Sequence, residues 1–354
     1  MYYLIFVYRK IAAYKIQVLP EKEEMLPLSV IICARNEEEN LKQFLPSILL
    51  QRYPEFEVIV VNDCSVDDSE WLLKKYAEQY TNLQVINLKE HPRYKHGKKF
   101  AVTIGIKAAK HEHLVFTDAD CQPQSDNWLT YIGHTFTTGV EIVLGYSPYI
   151  KQPGFLNRFI RFEAFHTAMS YLSYALKNRA YMGVGRNMAY TKKLFFKGKG
   201  FANHMHIASG DDDLFVNQNA SADNTAICIH PDAHVWSIPK QRYADYYIQK
   251  LRHYSASKAY KADHKRMLAN QIVSAVAFYC LLLACFLIYP LYWKYFLAVY
   301  LLRLIVQLII YRAAMKKLRV LDLFVFLPIL DIVYYFYSCF SGFLSLFKGN
   351  VGWK

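Results

Sequence analysis

Between residues 28 and 150 the chain alternates short, almost unbroken apolar runs with longer stretches whose apolar positions recur every three or four residues. The short runs are LSVIICAR (28–35), EVIVVND (57–63), LQVINL (83–88), HLVFTDAD (113–120) and EIVLGYSP (141–148). They read as strands buried on both faces. The stretches between them are helical in period, as in DDSEWLLKKYAEQY (67–80), where Ser65 and Asp68 stand in an S-x-x-D capping arrangement. Such alternation predicts an α/β domain with a mostly parallel sheet covered on both faces. Ligands of these sheets bind beyond the carboxyl ends of the strands. The polar residues at those ends are Ala34-Arg35-Asn36, Asn62-Asp63 and Asp118-Ala119-Asp120.

Further along, 153–176 has an aromatic-rich helical pattern that suits either packing on the core or lying in a membrane interface. After residue 270 the polar face disappears. IVSAVAFYCLLLACFLIY (272–289) carries no charge, and YFLAVYLLRLIVQLIIY (295–311) carries only Arg303. Both are long enough to cross a bilayer as helices. The apolar stretch 320–347 contains Asp322, Pro328 and Asp331 and reads as one tilted span or a short hairpin. Three domains follow from this pattern: an N-terminal hydrophobic anchor or truncated membrane helix (1–20), a folded domain (21–262), and a membrane region (270–348) of two to four segments, with three preferred. The opening MYYLIFVY is too short to span, and Arg9 and Lys10 follow it, the reverse of a signal peptide.

Composition adds two points. The net charge is +13, and RAAMKKLR (312–319) lies between the second and third apolar stretches. Positive loops stay inside, which predicts a multi-pass protein of the cell membrane with its folded domain on the cytoplasmic side. No nucleic-acid motif is present, so the charge suits anionic head groups and phosphates. The seven cysteines show no CxxC pair, as expected in a reducing compartment.

The candidate chemistry sits at the strand ends. Asp118 and Asp120 repel each other unless a cation lies beside them, and carboxylates there suit a hard divalent ion, Mg²⁺ or Mn²⁺, that also takes phosphate oxygens. HGKKFAVTIGI (96–106) opens a helix with lysines, a place that attracts anions. GVGRNMAY (183–190) has glycines that allow close backbone approach, SGDDDLF (209–215) is a second acidic cluster, and QKLRHYSAS (249–257) follows.

In this order, the motifs SVIICARNEEENL, VNDCSVDDS, GKKFAVTIGI, FTDADCQP, SGDDDLF and QKLRHYS resemble the membrane-integrated branch of the inverting family-2 glycosyltransferases, which have the GT-A fold. The resemblance covers roughly residues 28–260. It implies a nucleotide-diphospho-sugar donor, a UDP-sugar in the first instance, a divalent cation, and a lipid, lipid-linked or glycan acceptor at the bilayer. Ala34, Arg35, Asn36 and Asp63 would border the base, with Lys98 at the base or diphosphate. Asp118 would meet the ribose or the metal, and Asp120 would ligate the metal, with His234 either a third ligand or structural. Arg252 would help to neutralise the diphosphate. Asp211 takes the position of the general base, with Asp212 as the alternative, and Asp213 reads as a helix N-terminal carboxylate. Gln249 would lie on the acceptor side with His253, which stands where processive members carry Trp and so lacks the stacking surface for a long polysaccharide. The competing readings are a nucleotidyltransferase, disfavoured because ARNEEEN (34–40) has no glycine, and a silent nucleotide-sugar-binding scaffold.

Overall fold

The computed structural model describes residues 1–16, 25–90, 97–207 and 209–345. A π-helical turn, Leu4–Tyr8, leads into α1 (Arg9–Ala13). The folded domain then runs β1 (Leu28–Ala34), α2 (Glu38–Leu49), β2 (Phe56–Asp63), α3 (Ser69–Gln79), β3 (Leu83–Leu88), α4 (Lys98–Ala108), β4 (His113–Asp118) and β5 (Cys121–Pro123). It continues with α5 (Trp128–Thr135), β6 (Ile142–Gly145), α6 (Phe155–Ala175), β7 (Met188–Thr191), α7 (Lys192–Lys197), α8 (Asp213–Asn219), β8 (Thr225–Cys228), β9 (Val235–Ser237) and α9 (Tyr243–Ser257). Three long helices follow: α10 (Ala262–Ile288), α11 (Trp293–Lys317) and α12 (Leu327–Ser345).

Seven strands form one sheet in the order β3-β2-β1-β4-β7-β6-β8. Only β7 runs antiparallel to its neighbours. Period-two alternation sorts the apolar residues to opposite faces. Val30, Ile32, Val58 and Val60 pack with Leu41, Leu45 and Ile48 of α2. Ile31, Ile59 and Val61 face Ala101, Val102 and Ile106 of α4. A Cβ on Gly105 would come within 2.8 Å of the Ile31 side chain, so glycine lets α4 lie close on the sheet. The register pairs Ala34 with Asn62 and Cys33 with Asp118, which brings the carboxyl ends of β1, β2 and β4 level on one rim.

The expected capping arrangement at α3 does not form. Asp68 occupies the N-cap without a side-chain bond, while Asp67 Oδ1 accepts from the Ser69 N–H at 3.2 Å. Ser65 Oγ instead accepts from the Asn36 N–H at 2.9 Å, tying two rim loops together. The two readings of 153–176 resolve in favour of core packing: α6 is buried along almost its whole length. Its Phe162 and Phe165 share one hydrophobic cluster with Leu4, Val7 and Tyr8 at the N-terminus and with Tyr311, Leu327 and Leu330 of the C-terminal helices.

Three helical stretches, Ala262–Ile288, Pro290–Lys317 and Leu321–Leu344, are long and apolar enough to cross a membrane. The third is a 3₁₀ turn (Leu321–Phe326) continued by α12, with no hairpin reversal among the described residues. Residues 346–348 of the expected membrane region lie outside the described residues. Arg303 turns inward to Asp331 at 3.2 Å, and Tyr279 donates to the same carboxylate at 2.6 Å. Removing one partner of a buried ion pair costs about 3–5 kcal/mol, whereas replacing both by apolar groups can be neutral. Arg303→Leu should therefore lower the thermal midpoint of the detergent-solubilised protein sharply, and Arg303→Leu/Asp331→Leu should recover most of it. A double variant no better than the single one would show that the pair acts separately.

Candidate active site

Each expected site residue at the sheet rim can be located. Asp63 ends β2, is buried at 2% exposure, and neither of its carboxylate oxygens has a hydrogen-bond partner among the described residues. Buried polar atoms are rarely left in this state without a reason. Asn36 takes a left-handed conformation (φ 55°) and its Oδ1 accepts from the Val66 N–H at 2.8 Å, so the loops after β1 and β2 hold each other. Ala34 is buried beneath them, and Arg35 makes only a loose pair with Glu90 at 3.8 Å. The rim here thus holds a buried carboxylate, unpaired among the described residues, beneath two loops that hold each other.

Lys98 opens α4 beside the next strand end. Its ammonium lies 2.9 Å from Asp118 Oδ1 and 3.1 Å from Asp211 Oδ2. Burial alone would lower its pKa, but Asp118, Asp211 and Asp212 raise it well above the ordinary lysine value. Burial likewise opposes ionisation of Asp118, yet Lys98, Arg186 and Arg252 outweigh it and hold the carboxyl below its usual range. Asp120 is balanced less well. Burial and then Asp118 push its pKa up, outweighing Arg186, Lys240 and the Cys121 thiol, which donates to Oδ1 at 3.4 Å.

This donor set fits a hard divalent ion. Among the described residues no three His, Cys, Asp or Glu side chains form a ready-made cage. Magnesium-like ions commonly use one or two carboxylates and let substrate phosphates complete the shell. A cation beside Asp118 and Asp120 would remove the repulsion that raises Asp120. His234 is not brought to these aspartates. It is fully buried, Nε2 lies 3.3 Å from the Ile229 carbonyl, its ring stands edge-on to Tyr146, and burial lowers its pKa to about 3. These contacts are those of a histidine held within the core.

The acidic cluster at α8 divides its labour. Asp212 accepts from the Asp213 N–H at Oδ1 and from the Gly185 N–H at Oδ2, both at 2.8 Å. A Cβ on Gly185 would sit 3.2 Å from that oxygen, so glycine permits the approach. Asp213 is buried and accepts from the Leu214 N–H and from the Tyr260 hydroxyl, each at 2.7 Å. Asp211 is left to line the cleft with Lys98 and Asp118. On α9, the Gln249 amide lies 3.4 Å from the Tyr149 hydroxyl, His253 is exposed, and Arg252 Nε is buried without a partner among the described residues.

Two residues escaped the sequence reading. Arg186 donates to Ser147 Oγ at 3.0 Å, stacks on the Tyr149 ring at 4.4 Å, and acts electrostatically on both Asp118 and Asp120. Its signal was an arginine directly after the GVG turn. Lys99, the neighbour of Lys98, is buried and donates to the carbonyls of His204 (2.6 Å) and Ile207 (3.0 Å), bracing the loop before the acidic cluster.

Residues 29–198 match the family model "Glycosyl transferase family 2". Residues 29–198 are a family-2 glycosyltransferase domain. AglE, a glycosyltransferase of Haloferax volcanii, is 33% identical over 121 residues, which are 33% of this chain and 38% of AglE. The poly-beta-1,6-N-acetyl-D-glucosamine synthase of Staphylococcus epidermidis is 28% identical over 118 residues, 33% of this chain and 27% of the synthase. The chain thus matches well under two thirds of either relative's length. The mannosyltransferase PcManGT of Pyrobaculum calidifontis, determined in complex with GDP-Man and Mn²⁺, superposes over 94% of this chain and 93% of its own, with a TM-score of 0.57 at 19% identity. That likeness is one of fold, and it bears out the GT-A arrangement followed by C-terminal helices.

Beyond the matched stretch, Asp213 has a measurable signature. Burial and then Asp212 raise its pKa from 3.8 to about 8, against the opposing bonds from Tyr260 and Leu214. Between about pH 4 and pH 8 the unfolded chain releases this proton while the folded chain keeps it, so stability falls as pH rises through that window. Asp213→Asn should flatten the decline of the thermal midpoint from pH 5 to pH 8. An unchanged slope would show that Asp213 is ionised in the fold.

Proposed function

We propose that the protein transfers a sugar from a nucleotide-diphospho-sugar, a UDP-sugar in the first instance, to a lipid, lipid-linked or glycan acceptor at the bilayer, with inversion at the anomeric carbon. One observation carries this reading: Lys98 ties Asp118, at the donor end of β4, to Asp211, at the start of the acidic cluster. Donor-side and acceptor-side carboxylates thus border one cleft.

The assigned roles follow from what each side chain is free to do. Asp63, with both oxygens unpaired among the described residues, accepts from the imide N–H of a uracil-type base, and Ala34, Arg35 and Asn36 border the same base. Asp211 acts as general base because both oxygens of Asp212 are already occupied by backbone N–H groups. It takes the proton of the acceptor hydroxyl as that oxygen bonds to the anomeric carbon. The bond to the diphosphate breaks on the opposite face, and the diphosphate leaves with the electron pair. Lys98, Arg186 and Arg252 supply positive charge at that side. A divalent ion held by Asp118 and Asp120 would add Lewis-acid neutralisation of the leaving group. Lys98 has to exchange Asp211 for the incoming diphosphate, which frees the base only when donor is bound. Gln249 and His253 face the acceptor side, and the folded domain lies on the cytoplasmic side of a cell membrane.

The test is binding of UDP, GDP and their sugar conjugates to the detergent-solubilised chain, with Mn²⁺ or with chelator. Asp120→Ala should lose metal-dependent binding. Asp211→Asn should keep it while turnover falls by a factor on the order of 10²–10⁴. A folded wild-type protein without metal-dependent nucleotide binding would overturn the proposal and leave the silent scaffold. In the same assay Asp63→Ala should weaken UDP by about tenfold or more, the loss of one buried hydrogen bond to a ligand, and GDP less. Equal losses for both nucleotides would remove Asp63 from base selection.

A further inference from the structure

A second cavity lies away from the cleft, where the folded domain meets the third membrane-length helix. It measures about 400 Å³ and is lined by Lys151, Arg158, Arg161, Asp322, Leu323 and Phe326 among others. That volume is in the range of about 300–1,000 Å³ common to small-molecule sites.

Its charges do not cancel. Asp322 is gripped by both terminal nitrogens of Arg161, at 2.7 and 2.8 Å, and Lys151 approaches the same carboxylate at 3.4 Å. Arg158 lies over the Phe326 ring at 4.7 Å and has no ion pair among the described residues. Three cations therefore face one carboxylate. The Arg161 side chain is only 3% exposed, and its Nε has no hydrogen-bond partner among the described residues. A buried donor without a partner, in a cavity with excess positive charge, calls for an anionic acceptor.

The position of the cavity narrows the anion. Leu323 and Phe326 belong to the first turns of the stretch Leu321–Leu344, one of the three long enough to span. Val325 and Ile329, on the same stretch, are 77% and 62% exposed, an apolar surface suited to acyl chains. The cationic cavity thus sits where polar protein gives way to an apolar helix, the level of lipid head groups. Inference about this cavity rests on the reading that these helices cross a bilayer. We propose that it binds the phosphate of an anionic membrane lipid, with Lys151, Arg158 and Arg161 as its donors.

Such a lipid would also bear on the cleft. Lys151 lies two residues beyond Tyr149, whose hydroxyl contacts both Arg186 and Gln249. A head group fixed at Lys151 would steady the segment that carries this contact and hold the cleft at a set distance from the membrane surface.

The experiment is native mass spectrometry of the full chain in detergent, titrated with phosphatidylglycerol or phosphatidylcholine. Wild type should retain phosphatidylglycerol preferentially. Lys151→Glu/Arg158→Glu should reduce that preference by about tenfold or more, the scale expected for reversing two interfacial charges. Arg312→Glu/Lys316→Glu, at exposed positions in the last turns of α11, should leave it within about twofold. An unchanged preference in a Lys151→Glu/Arg158→Glu protein with a wild-type thermal midpoint would overturn the proposal, as would a loss confined to the α11 variant. Displacement of the lipid by millimolar inorganic phosphate would reassign the cavity to free anions. If the double reversal fails to fold, Lys151→Gln/Arg158→Gln is read by the same criteria. The readout is lipid retention and needs no turnover, so its failure is separate from failure of the glycosyltransferase reading.

Discussion

The ammonium group of Lys98 holds together carboxylates that the chain supplies from two distant segments. Asp118 ends a central strand and Asp211 precedes a short helix 93 residues later, yet both lie within about 3 Å of the same nitrogen. Unpaired, Asp118, Asp120, Asp211 and Asp212 would repel one another across a cleft with little water to screen them. The lysine partly relieves that repulsion, while burial and then a like-charged neighbour still raise the pKa of both Asp120 and Asp212. A site of this kind is preorganised for positive charge, and in the proposed reaction a metal-bound diphosphate brings it.

The cleft is joined to the apolar helices by buried contacts as well as by the chain. Tyr260, just before α10, hydrogen-bonds to Asp213 in the acidic cluster, and Asn217 of α8 faces His264 at 3.0 Å. On the other side of the domain, α6 shares one core with the N-terminal turn and with α11 and α12. Tyr8, His166 and Tyr335 continue that join as a polar chain, with contacts of 3.4 and 3.1 Å. Displacing α10 would therefore disturb the acidic cluster directly, because packed cores and satisfied polar networks transmit shifts.

Much of the fold was legible in the pattern of residues. Strands buried on both faces have no polar alternation to confuse them, so β1, β2, β3 and β4 fall within two residues of their expected bounds at every end. The strand-end rule likewise pointed to Asp63 and to the pair Asp118 and Asp120, which do end β2 and follow β4. What failed was local polar bookkeeping. Ser65 has the spacing to cap α3, but a hydroxyl bonds whichever N–H the fold brings near, and the Asn36 loop came nearer. His234 stands in a stretch where relatives of the family can carry a ligand, yet its ring direction depends on burial against Tyr146, a contact between segments 88 residues apart.

Sequence by itself determined the class of the domain, the three membrane-length stretches and the identity of the acidic motifs, because periodicity and run length are properties of neighbouring residues. Only the tertiary structure distinguished the three aspartates, leaving Asp211 paired with Lys98 in the cleft. Asp211, Asp212 and Asp213 are consecutive and chemically identical, and nothing local separates them. Asp212 is taken up by the Gly185 backbone and Asp213 by Tyr260, partners that arrive from opposite sides of the sequence. The same is true of Arg186, whose place beside the strand-end carboxylates follows from β7 pairing antiparallel with β4. Pairings of this kind are set by the closure of the whole core, which no short window of sequence contains.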